Sequence, residues 1–339
     1  MTTQHLSPLT MLLSRHTRRR TFITLLGGAA AAWPLVARAQ QARKVPVVGF
    51  LNPGFRSGVW TALIEGLRDI GYVDGETIKI EPRWAMGRPE TLPGLAQELV
   101  RLKVDVLIAV ARPSIEAVRG ATADLPIIAV DLESDPVESG FVASLARPGG
   151  NLTGLFLDLP TLCGKWLQLI GEAVPGIATI AVLWDSKTGS HQLNAMKAAT
   201  RMMSVDLIIV EFHDSVGLDA ALNAGLKERP QALIQLGSPL INQLANRIAD
   251  TLASYRVPSI SPFRSFPENG GLLSYGPDLA NMYRRVAPYV SRILKGARPS
   301  DLPIERPIKF ELVINLKTAK ALGITIPPTL QVAADEIIE

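Results

Sequence analysis

Cysteine is almost absent: Cys163 stands alone in 339 residues, so no disulfide can form within the chain. A lone thiol in an oxidising compartment is tolerated best when buried, and a small helix-packing role is the expectation for it. Histidine is scarce as well. His5 and His16 fall in the N-terminal segment, His191 and His213 remain, and no His/Cys spacing resembles a metal site. The chain lacks Gly-x-Ser-x-Gly, a Walker loop and a dinucleotide fingerprint, and pairs no histidine with a nucleophile in a recognisable setting. These absences argue against an enzyme and leave no cofactor and no metal to expect.

Acidic residues are missing from one place. Before Gln40 there is no Asp or Glu, while Arg15, Arg18, Arg19, Arg20 and Arg38 all lie there. The formal net charge of +4 comes from that segment: 35 − 5 = 30 bases remain against 31 acids, a net charge of −1. A nucleic-acid partner is therefore not implied. The segment reads as an export signal, with Arg18-Arg19-Arg20, an apolar run through Ala32, and the small-residue site Ala37-Arg38-Ala39. Arg19-Arg20 with Phe22 resembles the twin-arginine signal, and the expected cut follows Ala39. The alternatives are an ordinary Sec signal or an uncleaved anchor. The anchor is disfavoured because the run is short for a hydrocarbon core of ~30 Å at ~1.5 Å per residue.

What is present is globular: 47% of residues are hydrophobic, enough for two cores at this length. The stretch Leu145-Ala-Arg-Pro-Gly-Gly-Asn-Leu-Thr-Gly-Leu155 divides the chain. Pro148, Gly149 and Gly150 end the helix expected over 136–146, and 151–155 suits a short buried strand crossing into a second lobe. Ahead of it, strands are expected over 45–51, 77–81, 104–110 and 127–130, with helices over 60–70, 92–102 and 113–121. Behind it, strands are expected over 177–184, 206–211, 232–236, 259–262, 272–275 and 308–314. The helices between and after them fall over 162–174, 192–203, 218–227, 239–255, 278–294 and 316–322. Continuous apolar strands alternating with helices imply parallel sheets covered on both faces. The fold expected is α/β: two doubly wound parallel-sheet lobes joined by a multi-crossing hinge. The N-terminal lobe takes 45–153 plus 276–300 and the C-terminal lobe 154–275 plus 301–330.

Ligands of such sheets sit at the carboxyl ends of the strands, where strand order reverses. That selects the loops 52–57, 111–114, 131–136, 185–190, 237–239 and 262–266. Asn52 and Ser57 flank a strand-to-helix turn whose N–H groups can meet an anion or simply be capped. Arg112 can hold a carboxylate bidentately or face solvent at the rim, and Ser114 follows it. Asp131, Glu133 and Asp135 offer carboxylates to an amine, or to acid/base chemistry in a less favoured hydrolase reading. Ser238 is a helix cap or a contact. Phe263 stacks on a planar solute or packs the core, with Arg264 beside it. Tyr275 contacts ligand or serves the hinge, and Trp84 and Trp184 pack the lobes.

Several segments together resemble the periplasmic substrate-binding proteins of ABC transporters, in the family that includes tryptophan- and tyrosine-binding members, over nearly all of 45–339. They are Gly66-Leu67-Arg68-Asp69-Ile70-Gly71-Tyr72-Val73, Ile80-Glu81-Pro82-Arg83-Trp84, 145–154, 270–277, Tyr283-Arg284-Arg285, Ile293-Leu294-Lys295-Gly296 and 309–323. The resemblance implies the type I periplasmic-binding fold and an exported receptor, which is expected to act as a monomer. Such a receptor closes on a small amino-acid-like or aromatic solute and delivers it to an inner-membrane permease. Two departures bear on the ligand. Family members commonly carry a small or hydroxyl residue in the place of Arg112, and Gly-Gly-Asp-Pro where this chain has Leu132-Glu133-Ser134-Asp135-Pro136. A periplasmic sensor for a signalling receptor fits the same fold. A sugar-responsive repressor does not fit an export signal without a DNA-binding headpiece.

Overall fold

The computed structural model describes residues 45–131 and 135–339. The expected export segment and Glu133 lie outside them, and Asp131 is described by its backbone alone.

Five strands form the first sheet, four of them largely apolar runs and the edge strand β2 mixed in polarity: β1 (Val47–Asn52), β2 (Lys79–Trp84), β3 (Val106–Val110), β4 (Ile127–Asp131) and β5 (Leu152–Phe156). All neighbours are parallel, in the order β2-β1-β3-β4-β5. The central strand β3 is buried at every position, as a strand covered by helices on both faces must be. The second sheet holds β6 (Thr179–Asp185), β7 (Asp206–Phe212), β8 (Ala232–Gln235), β9 (Ser259–Ser261), β10 (Leu273–Pro277), β11 (Phe310–Asn315) and β12 (Glu336–Ile338). Its order is β12-β11-β10-β9-β8-β6-β7, and only β10 and β11 pair antiparallel. The α/β reading with two doubly wound sheets is the architecture observed.

The chain passes between the sheets after β5, after β10 and before β11. β5 stays in the first sheet through Phe156, pairing with Asp131 of β4. Glu305 extends the β5 edge: Phe156 N donates to Glu305 O at 2.9 Å and Glu305 N to Gly154 O at 3.1 Å. Residues 302–305 therefore sit with the first sheet, where Thr153 Oγ1 also donates to Leu302 O at 2.7 Å. The three connections are tied sideways. Arg306 pairs with Asp158 at 3.1 Å, and Lys309 with Asp278 at 2.9 Å. The helix Val286–Leu294 packs back on β3, β4, β5 and the helix Gly58–Asp69.

Three expectations change in structure. Residues 136–146 form turns and no helix. The Asp135 carboxylate accepts the Val137 and Glu138 amides at 2.8 and 3.1 Å, an alternative to helical bonding, and Gly140 then turns with φ of 68°. The helix expected over 278–294 breaks into Leu279–Arg284 and Val286–Leu294. Pro288 lacks an N–H for the Arg284 carbonyl, and its ring crowds that carbonyl. The helix expected over 239–255 breaks at Leu244 into Pro239–Gln243 and Ala245–Tyr255. The edge strand β12, with no alternating pattern long enough to read, is an addition.

Gly154 shows why the dividing stretch needs glycine. Its φ is 141°, and a Cβ there would stand 2.0 Å from the Ala129 carbonyl oxygen of β4. Gly154→Ala should cost about 3 kcal/mol or more, because backbone cannot yield as a side chain does. A denaturant midpoint unchanged from the parent would contradict this close approach.

Candidate functional site

Strand order reverses between β1 and β3 in one sheet and between β6 and β8 in the other. The crevice beyond these strand ends is where an open parallel sheet takes ligand. In the first lobe β3 runs directly into the helix Ala111–Ala121, and Ala111 takes φ of 59°, a conformation that costs a non-glycine residue energy. In the second lobe Asp185 ends β6 and Ser238 follows β8. Ser238 Oγ donates to Asp185 Oδ2 at 2.7 Å, spanning the reversal, and accepts from the Leu240 amide at 3.0 Å as the cap of the next helix. Asp185 Oδ1 accepts the Lys187 amide at 3.1 Å. Burial pushes the Asp185 carboxyl above the ordinary carboxylate range. The Ser238 bond, the Lys187 amide and the charges of Lys187 and His213 act in the other direction.

The residues singled out from sequence fall in different settings. Asn52 is buried, and its Oδ1 accepts the Gly54 amide at 2.8 Å. Ser57 precedes the helix Gly58–Asp69 without a side-chain cap bond. Arg112 pairs with Glu116 at 2.8 Å, and its guanidinium lies 6.0 Å from the Phe141 ring. Ser114 is fully buried and its Oγ has no hydrogen-bond partner. The Asp135 carboxylate is committed to its own turn. Phe263 is 4% exposed and belongs to the apolar core, which leaves its ring little surface to offer a solute. Its neighbour Arg264 turns to Glu268, Glu311 and Glu336, fastening β12 to the sheet. Tyr275 stacks on Phe310 at 6.1 Å, beside two of the connections.

The strand ends of the two lobes face each other closely. His191 Nδ1 meets Glu138 Oε2 at 2.6 Å across the crevice. A Cβ on Gly189 would stand 3.2 Å from Arg112 Nη1, and one on Gly87 3.4 Å from Gln243 Nε2. Between them is a cavity of about 170 Å³, walled from the first lobe by Pro53, Gly54, Gly87 and Pro113 and from the second by Asp185, Lys187, His213 and Pro239. Gln192 fastens the loop after β8: its Nε2 donates to Gly237 O at 3.0 Å and its Oε1 accepts Gly237 N at 2.8 Å. A larger groove of about 430 Å³ runs over the first lobe alone, between the helices Leu92–Arg101 and Ala111–Ala121, with Gln97 and Glu116 as its polar side chains, the latter paired with Arg112. Sequence reading selected the loop 185–190 without selecting Asp185. The available signal was an acid closing an apolar strand at a reversal of strand order, which becomes visible only once β8 is known to lie beside β6.

Residues 44–338 match the family model described as ABC transporter substrate binding protein. The chain belongs to that family. A tyrosine-binding protein of Clostridioides difficile (strain R20291) is 27% identical over 269 residues, 76% of this chain and 74% of its own. A conserved domain protein from Vibrio cholerae superposes with a TM-score of 0.81 at 25% identity, covering 87% of this chain and 100% of that one. An ABC domain from Streptococcus pneumonia, solved in complex with L-Trp, gives 0.81 at 24% identity over 86% and 99% of the two chains. The family is one of solute-binding proteins and not of enzymes, and the fold is the type I periplasmic-binding fold. Among the described residues no helix is long and apolar enough to cross a membrane, and no group of His, Cys, Asp or Glu is placed to hold a metal ion. Cys163 is buried, its thiol pushed up to about 12 by desolvation.

Ser238→Ala should remove a helix cap and the hydroxyl that donates to the Asp185 carboxylate, costing about 1–2 kcal/mol at neutral pH. The sign with pH follows from burial. The folded pKa of Asp185 lies above its unfolded value, and losing the Ser238 bond raises it further, so the added penalty exists where the carboxylate is ionised. That share of the penalty should fade as pH drops through the folded pKa, leaving the cap's share. Denaturant titrations of parent and variant at several pH values test this, and a pH-independent difference would refute it.

Proposed function

We propose that the protein is the exported receptor of an ABC import system, closing on a small amino-acid-like or aromatic solute and delivering it to a membrane permease. The carrying observation is the cavity of about 170 Å³ walled by strand-end loops of both lobes. A solute seated there bridges the lobes and favours the closed arrangement by its differential affinity for it. The named relatives, one a tyrosine-binding protein and one solved with L-Trp, support an amino-acid class of solute. In this reading Asn52, Ser57, Arg112, Ser114, Asp131, Asp135, Ser238, Phe263 and Tyr275 stand within or behind the crevice, Tyr275 at its hinge side. The hinge consists of the connections near Asp158, Asp278 and Arg306, and the receptor acts as a monomer. Export proceeds by the twin-arginine route with a cut after Ala39, releasing the mature receptor into the periplasm.

A thermal-shift screen of the full chain against amino acids, aromatic acids, nucleobases and sugars should show a saturable rise in Tm with one class, the compound being recovered unaltered. Small-angle scattering should show a smaller radius of gyration with that solute. No shift with any class, or conversion of a compound, would overturn the receptor reading. For export, exchanging Arg19 and Arg20 for lysine should abolish periplasmic accumulation, and undiminished export of that variant would rule out the twin-arginine route.

A further inference from the structure

Asp185 is a buried carboxylate in the wall of the interlobe cavity, 4% exposed. Its oxygens receive a serine hydroxyl and a backbone amide, which are neutral donors. Among the described residues it forms no ion pair within 4.0 Å. A carboxylate withdrawn from water without a cation beside it is costly, and proteins keep such groups where a cation is supplied. Its structural role does not need the charge: Asp185 Oδ1 caps the short turn Ser186–Thr188 through the Lys187 amide, a bond that an asparagine oxygen accepts as well, and Ser238 caps the following helix through its own oxygen. The surroundings lean the same way. Glu90 and Asp214 share the cavity wall with Asp185, three carboxylates against Lys187 and His213.

Its place in the fold adds direction. Asp185 closes β6 and is hydrogen-bonded to the residue three beyond the end of β8, so it sits over the gap where strand order reverses. The opposite wall is contributed by Pro53, Gly54 and Pro113, which offer ring and backbone surface, and by Glu90, whose charge is also negative. A cationic group of the solute entering this cavity meets carboxylates on both walls, of which Asp185 is the buried one.

Resting on the receptor reading above, we infer that Asp185 is the ammonium-binding residue of the cleft, so that the solute carries a protonated amine held by Asp185 Oδ1 and Oδ2. The amine replaces the water a buried carboxylate gives up. Ser238 and the Lys187 amide hold the carboxylate in position to receive it, and the proline-lined wall confines the remainder of the solute. Asp185 is thereby a specificity residue, selecting amine-bearing solutes over the same skeletons without the amine.

The test uses the full chain with calorimetry and thermal shift, on L-tyrosine, L-tryptophan and a wider set of amino acids, each paired with the corresponding acid lacking the α-amine. The parent should bind an amine-bearing member and lose on the order of 100-fold in affinity for its partner without the amine. Asp185→Asn should lose a similar factor for the amine-bearing solute and nothing for the other. Its unliganded Tm should equal or exceed that of the parent, because a buried charge has been removed. Should that variant fail to fold, the paired-solute comparison on the parent still decides. Equal affinity for both members of a pair, or an Asp185→Asn variant binding the amine undiminished, would overturn the assignment while leaving the receptor reading intact. No binding of any solute in either series would overturn both.

Discussion

Parallel strands deliver all their following loops to one edge of a sheet, and this constraint governs the rest of the molecule. Each sheet, by itself, gathers its irregular and polar residues along a single edge. Three crossings of the chain then turn the two edges toward each other. Asn52, Ala111 and Pro113 on one side and Asp185, Thr188 and Ser238 on the other come from distant parts of the sequence. They meet because β1, β3, β6 and β8 all run toward the same gap. The fold thus supplies a crevice before any residue in it is chosen for chemistry.

The crossings reconcile rigidity with motion. Each is a short segment, and single strands of chain would let the lobes wander. Arg306 on Asp158 and Lys309 on Asp278 couple the three laterally, and the Glu305 backbone pairs with the β5 edge. Asp158 itself takes φ of 52°, and burial raises its carboxyl while Arg306 opposes that shift. Bending of a band coupled in this way is confined to an axis across the three connections. That is the motion a receptor enclosing a solute requires.

Much of the fold was legible because burial on both faces writes itself into sequence as continuous apolar runs: Val106–Val110 and Ile127–Asp131 could hardly be anything but inner strands. Features set by a single local bond were less legible. The helix expected over 136–146 gave way to the Asp135 turn, and the one over 278–294 was cut near Pro288, whose effect depends on register within the helix. The edge strand Glu336–Ile338 is held by Arg264 from 72 residues away, and no local pattern announces such a tie. The site was partly legible in the same sense. The loops could be chosen from topology, but Asp185 and Ser238, 53 residues apart, acquire meaning only through their shared hydrogen bond.

That bond also separates what stabilises this protein from what it is for. A helix needs a cap, and Ser238 provides one whether or not an acid stands opposite. A strand needs no buried acid at its end, and an asparagine or serine at position 185 could accept the same hydroxyl without the cost of an ionised group. The chain instead keeps a carboxylate where water is scarce and, among the described residues, no cation pairs with it directly. Stability alone would remove it, so its retention argues for a charge that arrives from outside. In the unliganded protein Asp185 is a liability held in place by two neutral donors. With a cationic group in the cleft the same burial strengthens the attraction, because low dielectric amplifies a matched pair as much as it penalises a lone charge. The cost and the selectivity therefore have one physical source.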